Sequence, residues 1–212
     1  MDRAQKRDTS LRIWRIAIEL FVERGFGKVS VTEIAEAADV SKMTVFNYFG
    51  NKEDMVLKPM EGHTEDMARA VRERPPGESA VAAVHRQFLD QLAARDASVG
   101  MNADPMNLRV RELILATPAL LTRTYAWSAR STQLLADELI AEAGRERGAA
   151  GEAVAHCVAM QIAAARVSLM EEIHRRRIGG ESVDEICPVV VTLAQEVFGL
   201  AENGLGEYAV RR

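Results

Sequence analysis

The sequence predicts an all-α protein, with a three-helix helix-turn-helix module at its N-terminus followed by a larger helical body, about nine helices in total. Three observations point there. Alanine and helix-favouring charged residues abound while aromatics are only 5% of the 212 residues. No stretch alternates polar and apolar residues as a half-buried strand would. Capping residues and glycine or proline breaks divide the chain into helix-length pieces.

Thr9 or Ser10 is the expected N-cap of the first helix, and Ile13, Ala17, Leu20 and Phe21 form its inward stripe. Gly25 ends it, with Phe26 folding back as the hydrophobic contact that follows a left-handed C-cap. Ser30 and Glu33 make a capping box that opens a short second helix to about Ala38. After the turn 38–40, Ser41 caps a third helix over about 42–49. Gly50-Asn51 stops it, and Lys52-Glu53-Asp54 begins a fourth running to about Met60. A polar helical stretch continues to Arg74 and breaks at Pro75-Pro76-Gly77. Further helices are expected over about 79–96, 106–116, 117–147 and 152–177, with Pro118 at a first helical position, where its missing N–H is harmless. Ser182 and Glu185 form a second capping box before the last helix, which ends near Asn203-Gly204. Pro188 lies awkwardly deep for that cap, so either the first turn is irregular or the helix starts later. Domain limits of 1–58 and 59–212 follow.

At 48% hydrophobic and 27% charged the composition is that of an ordinary globular chain. No apolar run nears the ~20 residues that span a bilayer, and MDRAQKRDTS is no signal peptide, so no membrane partner and a cytoplasmic location are expected. Cys157 and Cys187 read as buried free thiols in a reducing compartment. The net charge of −4 is unevenly spread, since residues 1–60 carry ten Lys or Arg against nine Asp or Glu. An acidic body would leave polyanion binding to one localised surface.

The second short helix of a helix-turn-helix is the one that enters a major groove. Lys42, Thr44, Asn47 and Tyr48 place donors and acceptors within two turns, while Val45 and Phe49 face inward. Lys52, starting the next helix, is positioned to meet a phosphate. GFGKVSVTEIAEAADVSKMTVFNYFGNKEDM, with AIELFVERGF upstream, resembles the N-terminal DNA-binding domain of the TetR family of bacterial regulators over about residues 10–58. The Thr44, Tyr48, Phe49, Lys52 signature carries the likeness together with the caps and turn. The resemblance implies phosphate or base contacts for Thr44 and Tyr48 and a phosphate contact for Lys52. It places Lys42, Met43 and Asn47 where readout varies, and Thr32 is a further groove candidate. Asn47 suits a bidentate pair with adenine. Three positions depart from the family pattern: Asp39 replaces the usual turn glycine, Met43 a small residue and Phe46 a frequent tyrosine.

The resemblance also implies that the body binds an effector and dimerises. Ala155, Ala159 and Ile162 in one helix and Val190, Leu193 and Val197 in the last are the expected interface, burial within the monomer being the alternative. Candidate pocket walls are Phe88, Met101, Met106, Tyr125, Trp127, His156 and Met170, while Arg166 suits either an anionic ligand group or an interhelical ion pair. Four scattered histidines lack metal-ligand spacing, and no nucleophile elbow or phosphate-cradling loop occurs. Neither an enzyme, a cofactor nor a metal is therefore expected. The expected function is a homodimeric repressor on a palindromic double-stranded DNA operator, released by a small-molecule effector of unknown identity. The other class is a small helical enzyme or partner-binding protein that has kept a degenerate DNA-binding end.

Overall fold

Helix follows helix through residues 3–144 and 148–204, the residues that the computed structural model describes, and no strand occurs among them. The helices are α1 (Arg3–Arg24), α2 (Val31–Ala37), α3 (Lys42–Phe49), α4 (Lys52–Glu61), α5 (Asp66–Arg72), α6 (Ala80–Ala93), α7 (Pro105–Ala116), α8 (Pro118–Leu139), α9 (Gly148–Ile178) and α10 (Val183–Asn203). A π-turn over Ile140–Gly144 continues α8. The backbone forms two compact units. The first comprises residues up to 62 together with 109–126, and the second comprises 63–108 and the chain from 127 on. The boundary thus falls a few residues after the expected one, and the first unit includes a later segment that local sequence did not assign to it.

In the first unit α1 buries Ile13, Ala17, Ile18 and Phe21. It begins at Arg3, well before the expected cap. The Thr9 hydroxyl donates back to the Gln5 carbonyl at 2.9 Å, a bond made inside a helix rather than at its start. Gly25 stops α1 at a φ of 88°, and the Phe26 ring returns to within 4.9 Å of Phe21.

The second unit is built around one apolar core in which Phe88, Leu92, Met101, Ile162, Ile173 and Phe198 are fully or almost fully buried. Phe88 and Phe198 lie 6.2 Å apart, and His85 stacks on Phe198 at 4.9 Å. Burial pushes the His85 imidazole below its ordinary pKa. The small side chains of Ala155, Ala159 and Ala163 face inward along α9, which packs on α10. By length and composition α9 is apolar enough to cross a membrane, a correction to the expectation that no such run exists. That expectation missed it because alanines supply much of the run.

Local chemistry accounts for the ends of these helices. The Ser182–Glu185 capping box is complete, and α10 starts at Val183 with Pro188 inside it, so neither sequence alternative holds. Pro188 cannot donate to the Asp184 carbonyl, but both residues are exposed, where water can serve that acceptor. Helix α6 ends on Arg95 at a φ of 54°. Its guanidinium donates to the Val183 carbonyl at 2.9 Å and to the Asp184 carboxylate, tying that turn to the start of α10. Gly100, at a φ of 81°, has room for no side chain, since a Cβ there would meet the His174 ring at 3.0 Å. Cys187 is half-buried but Cys157 is exposed, which corrects the reading of both as buried thiols. The physical reason is that α9 carries apolar residues on more than its packed face.

Near the C-terminus of α9, Glu172 accepts from Arg175 at 2.6 and 2.7 Å and from Arg176 at 2.7 Å. The Arg175 hydrogen bond, followed by that of Arg176, holds the Glu172 carboxyl down at about 2, against an opposing push from burial. A carboxylate depressed in the folded state stabilises fully above its ordinary pKa and loses that stabilisation as pH falls toward the folded value. Glu172→Gln is therefore expected to lower the urea midpoint at neutral pH. The difference from the parent protein should shrink as pH falls from about 4.5 toward about 2.

Candidate nucleic-acid interface

Two side chains fix the entry to α2. The Ser30 hydroxyl accepts from the Glu33 amide at 3.2 Å, and the Glu33 carboxylate accepts from the Ser30 amide at 2.8 Å. The Ser30 amide bond, then the Ser30 hydroxyl bond, then the nearby Arg24 charge favour ionised Glu33 and lower its pKa, outweighing burial. At the other end the Val40 amide donates to the Ala35 carbonyl at 3.0 Å and the Asp39 amide to the Glu36 carbonyl at 3.1 Å. Those are the two bonds of a Schellman motif, with Asp39 at the left-handed position at a φ of 50°. The departure from glycine thus leaves the turn geometry intact, because aspartate tolerates that region better than most residues.

Ser41 then caps α3, accepting from the Thr44 amide at 3.0 Å, and its hydroxyl shares a 2.8 Å hydrogen bond with that of Thr44. Val45 and Phe49 are buried and anchor the helix. Lys42, Met43, Phe46 and Asn47 are exposed, Met43 at 68% and Phe46 at 38%, while Thr44 and Tyr48 are half-buried. Thr32 is exposed on α2. The expected readout residues of α3 therefore share one short helix with a free outer face. Phe46 belongs with them although sequence reasoning left it out. Its spacing of three from Met43, with Asn47 at four, was the available signal.

Lys52 lies elsewhere than expected. Its ammonium donates to the Phe26 carbonyl at 2.7 Å and the Val29 carbonyl at 3.1 Å, and sits 4.3 Å from the Phe26 ring centre and 5.8 Å from that of Phe21. A cation held by two carbonyls and two aromatic faces is a structural clamp. Lys58 behaves alike, donating to the Tyr48 carbonyl at 2.7 Å and so serving an open carbonyl at the end of α3. Asn51 caps α4 by accepting from the Asp54 amide at 2.8 Å. Arg123, from the later segment of the same unit, pairs with the Asp54 carboxylate at 2.7 Å.

The remaining candidates differ in burial. Phe88 and Met101 are fully buried in the core of the second unit and Met170 packs against it. Met106 and Trp127 are half-buried, His156 is exposed, and Tyr125 is 67% exposed and belongs to the first unit. Arg166 forms no ion pair with an acidic group among the described residues. It donates to the Gln91 side chain at 3.3 Å, and its buried Nε has no hydrogen-bond partner. Burial lowers its pKa while the charges of Asp66 and then Asp96 oppose that shift. None of these residues lines the cleft of about 360 Å³ in the second unit, which is bounded by Val71, Arg72, Arg74, residues 75–78, Glu138, Ala141 and Glu142. Its walls carry the Arg72–Glu138 pair at 3.0 Å and the Arg74–Glu142 pair at 2.5 Å. Of the six interface candidates, Ala155 is buried within the chain, Ala159, Ile162 and Val190 are buried in the core of the second unit, and Leu193 and Val197 pack on that core. The outward apolar residues of α9 are Val154, Met160 and Val167.

The family model for the bacterial regulatory proteins of the TetR family matches residues 13–58, the span from the first core residue of α1 through α4's buried turn. The regulator TcmR of Streptomyces glaucescens is 32% identical over 116 residues, covering 54% of this chain and 51% of that protein. LuxR of Vibrio harveyi is 49% identical over 45 residues, 21% of this chain and 22% of that one. The chain thus spans about half the length of the first relative and about a fifth of the second. Among solved structures, NalD of Pseudomonas aeruginosa, the secondary repressor of a multidrug efflux pump, superposes with a TM-score of 0.58. It covers 95% of this chain and 98% of its own at 16% identity, which speaks for the fold alone. The family match thus lies over the capped helix pair described above, and residues 13–58 form an N-terminal domain like that of the TetR family of bacterial regulatory proteins.

Proposed function

We propose that this protein is a sequence-specific transcriptional regulator that binds palindromic double-stranded DNA as a homodimer, represses, and is released by a small-molecule effector. One observation carries the reading. An eight-residue helix is fixed at both ends by caps and anchored by two buried side chains, and it presents Lys42, Met43, Phe46 and Asn47 outward. Such a helix fits a major groove, and its side chains supply a cation, an amide and apolar surface for base edges. A two-fold pair of such helices about 34 Å apart would read both halves of a palindrome. The outward residues Val154, Met160 and Val167 of α9 favour a second copy as the partner of that helix. An effector bound in the body would have to prefer the conformation that fits DNA poorly, and DNA would weaken effector binding reciprocally.

Footprinting on DNA upstream of the protein's own coding region tests the reading, and absence of a protected inverted repeat counts against it. On a duplex enriched by selection with the protein, Lys42→Ala is expected to reduce the salt slope by about 0.9. Asn47→Ala should cost about 1–3 kcal/mol at one base pair and relax the preference there. Lys52→Met is expected to act through the fold instead, lowering the melting temperature by removing a cation that satisfies two carbonyls. Met160→Glu should leave the monomer folded while shifting sedimentation toward the monomer, because it places a charge on the outward face of α9.

A further inference from the structure

Charge within the first sixty residues is concentrated where the recognition helix is not. Residues 3–15 carry Arg3, Lys6, Arg7, Arg12 and Arg15 against Asp8, whereas residues 16–60 carry five basic and seven acidic side chains. Of those later cations, Lys52 and Lys58 are bonded to carbonyls and Arg24 pairs with Glu33 at 3.5 Å. Lys6 and Arg7 are exposed, with no ion-pair partner among the described residues.

Helical register sorts the basic residues of α1 into two faces. Lys6, Ser10, Ile13 and Ala17 recur at spacings of four, three and four, and Arg7, Trp14 and Phe21 at seven. The face that buries Ile13, Ala17 and Phe21 in the domain therefore continues toward the N-terminus as Lys6 and Arg7, about 10 Å before the first buried residue. Arg12 and Arg15 lie on the opposite face, each four residues from an acid, Asp8 and Glu19. Each outer cation thus has an acid four residues away, whereas Arg7 has none at three or four and Lys6 has only Asp2, which lies outside the described residues. A core-facing stripe that turns cationic past the edge of the domain is suited to an anionic surface rather than to protein.

We infer that Lys6 and Arg7 form a second DNA contact, gripping backbone phosphates of the same duplex that α3 reads. The inference rests on the DNA-binding reading above. Duplex DNA fits better than a lipid surface because the apolar stripe of α1 is consumed by the domain core. Among α1's large apolar side chains only Leu11, at 51%, is strongly exposed, too little to enter a bilayer. The contact is sequence-independent, so it raises affinity on every duplex and leaves base preference to α3.

The test measures binding of the full chain to a labelled mixed-sequence duplex of about 30 base pairs, and to a selected duplex, across a potassium chloride series. Lys6→Gln with Arg7→Gln should flatten the slope of log affinity against log salt by about 1.8, and each single variant by about 0.9. The loss should be the same fold on both duplexes. Arg12→Gln with Arg15→Gln removes equal charge from the outer face and should leave the slope unchanged. Equal slopes for both double variants, or no change for the Lys6 and Arg7 variants, would overturn the inference. Lys6→Arg with Arg7→Lys keeps both charges and should bind as the parent does, and if it binds no better than the glutamine pair the inference also fails. Lys42→Ala with Asn47→Ala separates the two readings. If that variant retains full affinity and preference on the selected duplex, the assignment of α3 fails. If it loses them while the Lys6 and Arg7 variants bind normally, only the second contact is lost.

Discussion

The Lys52 ammonium, held by the carbonyls of Phe26 and Val29 and flanked by two phenylalanine rings, is the contact on which the first unit depends. It joins the beginning of α4 to the turn between α1 and α2. Those carbonyls belong to a segment too short to satisfy itself through helical bonds, and leaving them unmet would cost about 1–3 kcal/mol each. With the clamp in place, α2 leaves its capping box in a defined direction and α3 follows through a turn shaped by backbone bonds alone. Lys58 repeats the device at the end of α3. The orientation of the outward face is thus set by cations that never reach it.

This division of labour changes how the charge of the domain is to be read. A near-balanced count of acidic and basic residues suggests weak attraction for a polyanion, yet charge that is bonded inside differs from charge that is displayed. Lys42 is displayed on α3, and Lys6 and Arg7 at the far end of the inner face of α1. Few cations, placed apart, make a surface whose adhesion depends on geometry more than on total charge. The acidic body acts in the same direction.

Much of the first unit was legible because its punctuation is local. Ser30 with Glu33, Ser41 with Thr44, and Gly25 with Phe26 act within four residues, so one stretch of sequence contains both partners. What escaped was long-range or two-faced. The clamp of Lys52 reaches carbonyls 23 and 26 residues away. Thr9 and Ser10 have the chemistry of caps, but Thr9 returns its hydroxyl to Gln5 and the helix runs through. In α9 the alanine ladder was read as a surface between copies, yet small residues at that spacing equally let α10 approach within one chain. Periodicity marks a face without naming what covers it, and α9 is apolar on both sides. The pocket candidates rest on an equally ambiguous signal, since large apolar residues such as Phe88 and Met101 are what any core requires.

The turn between α2 and α3 draws its shape from main-chain bonds, so the side chain at position 39 is left without a structural task. Here it is a carboxylate, exposed to solvent beside the outward helix, where glycine would contribute no charge. Under the DNA-binding reading proposed above, an acidic side chain at that corner opposes any docking that brings a phosphate row against it. On that reading, the turn that costs the fold nothing would narrow the set of orientations in which a duplex can rest on α3.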